Sequence, residues 1–163
     1  MDGELWIISG EIGQGKTRWC ERLIQLAREA DWQVSGVLSP GVFQEGYKVG
    51  IEALDLRSGE RRLLARRRQV NQAGLIHTRE WQFETETVEW GNTLFQQAVP
   101  CDLLVVDEIG PLELEQGRGW SAALPAIESR AYRLALVVIR PALLPYAEKW
   151  QPQAVIMVRK PVK

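Results

Sequence analysis

Leu5-Trp6-Ile7-Ile8-Ser9-Gly10-Glu11-Ile12-Gly13-Gln14-Gly15-Lys16-Thr17 runs from a short apolar stretch into a glycine-spaced loop and ends on a lysine and a hydroxyl residue. The last eight residues fit the string G-x-x-x-x-G-K-S/T without a mismatch, with a strand-like run before them and a helical pattern after them. Glycines there let successive backbone N–H groups point inward, forming an anion cradle at the positive end of a helix dipole. A polyphosphate is the natural occupant. Lys16 is expected to reach its β- and γ-phosphates as a point charge, and the Thr17 hydroxyl to ligate a Mg²⁺ ion beside them. A chance match in a chain of this length is expected at about 1%, before the flanking pattern is counted. Glu11 would repel phosphate if it faced inward, so it is expected to point outwards. The nucleotide-binding set is thus Gly10, Glu11, Ile12, Gly13, Gln14, Gly15, Lys16 and Thr17, with Arg18 following.

Working outward, Lys16 to Ala30 carries apolar residues at helical spacing, and Trp19, Leu23, Leu26 and Ala30 are expected to form its buried face. Val34 to Leu38 reads as a second strand. From Gly41 to about Arg66, short alternating pieces broken by Gly46, Gly50 and Ser58-Gly59 predict β-hairpins, an insertion-like section. Residues 69 to 83 read as loop, and Glu84 to Ala98 as a helix stopped by Pro100. Asp102 to Ile109 is a nearly continuous apolar strand of the kind buried on both faces of a parallel sheet. Trp120 to Arg130 predicts a helix, Leu134 to Ile139 a buried strand, Pro141 to Trp150 a short helix, and Ala154 to Val158 a last strand. Strands alternating with helices predict an α/β, doubly wound, mostly parallel sheet whose ligand sits at the carboxyl ends of the strands.

That geometry gives Leu103-Leu104-Val105-Val106-Asp107-Glu108 its meaning. A buried strand ending in two acids puts Asp107 level with the phosphate loop as a Walker B acid holding Mg²⁺, and leaves Glu108 free to polarise an attacking water. Lys16, Asp107 and Glu108 are therefore the candidate catalytic residues, and Thr17 with Asp107 the metal-holding pair. Arg140, which ends the following strand, stands where a γ-phosphate sensor would sit, with a solvated or ion-paired arginine as the alternative. An N/T-K-x-D string is absent after that strand, where Arg140-Pro141-Ala142 stands instead, so guanine recognition of that type is excluded.

The chain has 163 residues, enough for one domain spanning 1–163 and too few for two catalytic ones. Its 20 Lys+Arg against 21 Asp+Glu, net charge −1, remove the broad basic surface that non-specific nucleic-acid binding needs, so nucleic acid is not indicated as a partner. The cluster Arg61 to Arg68 reads as solvated arginines or, more sharply, as an anion contact. Two cysteines are too few for a disulfide framework, and no apolar run is long enough to span a membrane, so a reduced cytoplasmic protein is expected. His77, the one histidine, rules out a multi-histidine metal site. Of the seven tryptophans, Trp6, Trp19, Trp90 and Trp120 fall on expected elements and Trp32 follows the first helix, and most of these are expected to pack, whereas Trp81 and Trp150 remain candidates for stacking on a base.

Three segments carry a resemblance. Gly10 to Thr17, Lys48 to Ala65 in the form R/K-x-G-I/F-x-x-x-x-L-x-S/T-G-E-R-x-x-L-A, and Asp107 to Glu113 in the form D-E-I-G-x-M/L-E together resemble the nucleoside-triphosphatase family that includes a human cancer-related member and thermophilic bacterial and archaeal members. The resemblance implies a P-loop NTPase, a RecA-like three-layer sandwich. It also implies slow Mg²⁺-dependent hydrolysis of nucleoside triphosphates, ATP and GTP among them, to diphosphate and phosphate with broad base tolerance. Carried over by position, Lys16 and Thr17 are the phosphate and Mg²⁺ residues, Asp107 the Walker B acid, Glu108 the base, and Glu113 a further acid that joins Arg140 as a candidate sensor. Pro111 departs from a common lysine of the family, and Glu11 and Ile12 from smaller residues or proline. Two other readings stay open from the residues: a kinase of a small nucleoside-like acceptor, and a nucleotide-dependent binding module with slow ATPase and an unknown protein partner.

Overall fold

The computed structural model describes residues 2–67 and 81–161. The first strand, β1 (Glu4–Ser9), leads through the glycine loop into helix α1 (Lys16–Glu29), and β2 (Val34–Leu38) follows. Four antiparallel strands come next: β3 (Gly41–Gln44), β4 (Tyr47–Asp55), β5 (Arg61–Arg67) and β6 (Trp81–Phe83). Then come α2 (Thr85–Gln96), β7 (Cys101–Ile109), the short helices α3 (Pro111–Leu114) and α4 (Ala123–Ser129), β8 (Tyr132–Ile139), a 3-10 segment (Pro141–Trp150) and β9 (Ala154–Met157).

Among the described residues, nine strands form one sheet, in the order β6-β5-β4-β2-β7-β8-β1-β9, with β3 paired to β4. From β2 to β9 every pairing is parallel, so their carboxyl ends share one edge. One strand, β8, separates the acid-bearing β7 from the loop-bearing β1. Side chains alternate across β7: Leu103 and Val105 pack with Cys20 and Ile24 of α1, while Leu104 and Val106 pack with Phe95, Trp120 and Ile127 on the opposite face. Covering both faces explains why β7 reads as a continuous apolar run.

Three expectations change. The buried stripe of α1 is Lys16, Cys20 and Ile24, with Trp19, Leu23 and Ala27 only half-buried beside it, and Leu26 is 60% exposed. The helix is turned by about one residue, 100°, from the face that hydrophobicity selected, because Lys16 must point to the carboxyl edge of the sheet and the i, i+4, i+8 row follows it. Pro141–Trp150 is 3-10 rather than α, with Pro145 inside it lacking the N–H that an α-turn would need. Trp81–Phe83, expected as loop, extends the sheet by pairing with β5; the rest of that expected loop, and His77 and Arg68, lie outside the described residues.

The tryptophans sort by packing. Trp120 and Trp150 are in the core, and the Trp150 indole N–H donates to Glu128 at 3.2 Å, so Trp150 is not a surface on which a base could stack. Trp81 lies on β6, six strand spacings from β1, about 29 Å along the sheet. It belongs to a different surface from the phosphate loop.

Candidate functional site

Chain direction alone brings the loop and the acids together. With β1, β7 and β8 parallel, Gly10, Asp107 and Arg140 all emerge at the same edge. Gly13 and Gly15 hold φ of 79° and 91°, and a Cβ at either would meet nothing within 4 Å, so backbone conformation rather than space requires glycine there. Gly15 caps α1 without any side-chain hydrogen bond, and no acid occupies the first turn. The amides at that helix end are left to face an anion. Glu11, Ile12 and Arg18 are exposed, Glu11 as expected, and Gln14 accepts the Lys160 backbone N–H at 2.8 Å.

Lys16 is buried, and its Nζ donates to the Gly10 carbonyl at 2.5 Å and lies 3.7 Å from Glu108 Oε2. Thr17 Oγ1 donates to Asp107 Oδ2 at 2.9 Å. Burial pushes the Asp107 carboxyl up to about 6; the Ser39 amide opposes this, the Glu108 charge adds to it, and the Thr17 hydroxyl and Lys16 oppose it. A divalent cation beside this carboxylate would draw it back towards the ionised form. Arg140 Nε donates to Glu108 Oε1 at 3.2 Å, so Glu108 stands between two cations with one oxygen facing each. Arg140 is exposed and ion-paired, and its partner is the candidate base.

Glu113 is placed differently from the sensor position considered for it. Its Oε1 accepts the Gly110 N–H at 2.8 Å and its Oε2 the Trp120 N–H at 2.9 Å. Both oxygens are taken by backbone amides, which ties α3 to the following loop behind the acidic strand. Burial raises its pKa and those amides oppose the rise.

Ser39 has no counterpart among the sequence-derived candidates. Its backbone N–H donates to Asp107 Oδ2 at 3.1 Å, and its hydroxyl donates to the Asp107 carbonyl. Asp107 Oδ2 is therefore gripped from the phosphate-loop helix and from the end of β2 at once. A small polar residue one position past a buried strand is visible in the sequence, but only the β2–β7 pairing makes it a neighbour of the acid.

The NTPase family model matches residues 6–157. Nucleoside-triphosphatase THEP1 of Methanopyrus kandleri is 30% identical over 114 residues, 67% of this chain and 59% of its own length. THEP1 of Caldivirga maquilingensis is 26% identical over 131 residues, 80% of this chain and 73% of its own. The first of these alignments thus spans about three-fifths of its relative. Among solved structures, the solution structure of a human cancer-related nucleoside triphosphatase superposes with a TM-score of 0.69 at 20% identity, covering 96% of this chain and 88% of that one. THEP1 from Aquifex aeolicus gives 0.66 at 16%, covering 96% and 90%. At those identities the superpositions speak for the fold.

Proposed function

The chain belongs to the NTPase family, and from that premise we propose that it hydrolyses nucleoside triphosphates, ATP and GTP among them, to the diphosphate and phosphate with little regard for the base. The observation that carries the proposal is the meeting of Lys16, Thr17, Asp107 and Glu108 within hydrogen-bond or ion-pair distance at one edge of the sheet. The strand order supports a RecA-like three-layer sandwich, a single domain over residues 1–163, with β3 to β6 as its inserted section. Two free, buried cysteines, Cys20 and Cys101, suit a reducing, cytoplasmic setting.

In this reading the loop amides and Lys16 hold the β- and γ-phosphates, Lys16 exchanging its contacts to Gly10 and Glu108 for phosphate oxygens. Glu108 takes a proton from a water as its oxygen bonds to the γ-phosphorus, and the bond from that phosphorus to the β–γ bridging oxygen breaks, releasing the diphosphate. Arg140 holds the Glu108 carboxylate in place through its 3.2 Å ion pair. Thr17 and Asp107 offer hard oxygen donors suited to Mg²⁺, and among the described residues no cluster of three or more His, Cys, Asp or Glu side chains competes. When bound, Mg²⁺ would neutralise charge on the phosphates. An ion with so few protein ligands fills its shell with water and phosphate oxygens, which is how Mg²⁺ is usually held.

Phosphate release from ATP, GTP, CTP and UTP is expected in the presence of Mg²⁺ and is expected to fall to background with chelator. A panel in which every nucleotide binds and none is hydrolysed would replace this reading with the binding module. Ser39→Ala removes the hydroxyl that holds the Asp107 backbone. It is expected to raise the Mg²⁺ concentration for half-maximal turnover about tenfold, as loss of a group orienting a metal ligand typically does. A Mg²⁺ titration at saturating ATP reads it, and an unchanged midpoint would remove Ser39 from the site.

A further inference from the structure

We propose that the margin of β3, β4, β5 and β6 on the α2 side of the sheet, where Phe43 and Phe83 stay exposed beside the core-packed Ile51 and the buried Ala65, binds single-stranded nucleic acid, with Phe43, Trp81 and Phe83 stacking on bases and Lys48 and Arg67 contacting phosphates. The register places these groups together. Trp81 pairs with Arg67, and Phe83 with Ala65, which pairs with Ile51 and through it with Gly41. Directly paired residues, and residues two apart on a strand, share a face, so Trp81, Phe83 and Arg67 lie on the face to which a side chain at Gly41 would point. A Cβ built at Gly41 would come 2.9 Å from Lys48 Cε and 3.0 Å from Phe43 Cε2, so those two side chains cover the same face. Lys48 Nζ is 5.7 Å from the Trp81 ring centroid, and the Arg67 guanidinium carbon is 4.7 Å from it. Phe43 is 62% exposed and Phe83 45%.

The charges single out this patch from the rest of the arginine-rich strand. Arg61, Arg62 and Arg66 are each neutralised, by Glu52 at 3.2 Å, Glu60 at 2.7 Å and Glu84 at 2.8 Å. Arg67 and Lys48 have no carboxylate partner among the described residues, although the chain as a whole has a net charge of −1. Among the described residues, positive charge is therefore left uncompensated where Phe43 and Phe83 are exposed. Rings interleaved with cations on a flat strand surface suit bases that are free to splay out and a backbone that carries phosphate. A duplex keeps its bases stacked inside and offers the rings nothing. An acidic peptide would use the cations and leave Phe43 and Phe83 without a role.

The test is fluorescence anisotropy of a labelled 20-nucleotide oligouridine with the full chain, in saturating Mg²⁺-ADP so that the phosphate loop is filled. A dissociation constant of about 1–100 µM is expected in 50 mM salt, weakening about sevenfold at 200 mM if two phosphates are neutralised. Phe43→Ala, whose ring is largely in water, is expected to weaken binding about tenfold with an unchanged thermal midpoint, and Lys48→Glu to weaken it at least as much. Lys16→Ala is expected to bind normally, which separates this surface from the phosphate loop. No anisotropy change up to 100 µM protein would overturn the proposal. So would equal competition by duplex of the same length or by polyglutamate, indifference to Phe43→Ala, or loss of binding in Lys16→Ala.

Discussion

Glu108→Gln is expected to lower the turnover number for ATP by about 10²–10⁴-fold, the usual contribution of a positioned general base, while the protein still binds Mg²⁺-ATP. The substitution is nearly isosteric. Its amide oxygen can still accept from Arg140 Nε, now 3.2 Å from Glu108 Oε1, so the side chain keeps its orientation and loses the ability to take up a proton. Removing the negative charge also frees Lys16, whose Nζ is 3.7 Å from the Glu108 carboxylate, so nucleotide affinity should hold or rise. Single-turnover phosphate release and calorimetric titration with Mg²⁺-ATP read the two effects separately. Full hydrolysis with normal binding would take the role of base away from Glu108, and loss of binding would make Glu108 a structural residue.

Gly36→Ala is expected to cost the fold about 3–4 kcal/mol, combining backbone strain with overpacking. Gly36 lies within β2, a strand buried along its length between β7 and β4, and has φ of 106°. A Cβ there would sit 2.0 Å from the Val105 carbonyl oxygen. The obstacle is backbone of the central strand, hydrogen-bonded on both sides, so no side-chain rotation relieves it. For a chain of this size that loss corresponds to a fall in melting temperature of about 6–16 °C. Gly59→Ala is the control. It has φ of 82° and nothing within 4 Å of its Cβ position, and should cost about 1 kcal/mol. Urea denaturation of the two variants measures the difference, and equal midpoints would mean that β2 can move away from β7.

The elements legible in the sequence were those whose signal is local. Gly10 to Thr17 encode their own backbone angles, and the run Leu103 to Val106 followed by Asp107 and Glu108 can only be a buried strand ending at the ligand edge. The orientation of α1 was not legible, because Trp19, Leu23 and Leu26 outscore Cys20 and Ile24 in apolar size, yet the helix is oriented by where Lys16 and Thr17 must point. Trp150 stays a candidate for base stacking in the sequence for a similar reason. A 3-10 segment with an internal proline has no clear period, while its indole is in fact packed in the core and bonded to Glu128.

Residue type and spacing by themselves determined that this chain makes a phosphate loop and sets two acids at the end of a buried strand, since those features depend on neighbours a few residues away. The tertiary structure decided which distant groups meet there. Ser39 reaches Asp107 because β2 pairs with β7, Arg140 reaches Glu108 because β8 lies between β7 and β1, and Glu113 is drawn off to the amides of Gly110 and Trp120. Strand order is set by how apolar faces are covered across the whole sheet, a property of the folded chain rather than of any one segment, and these pairings follow from it.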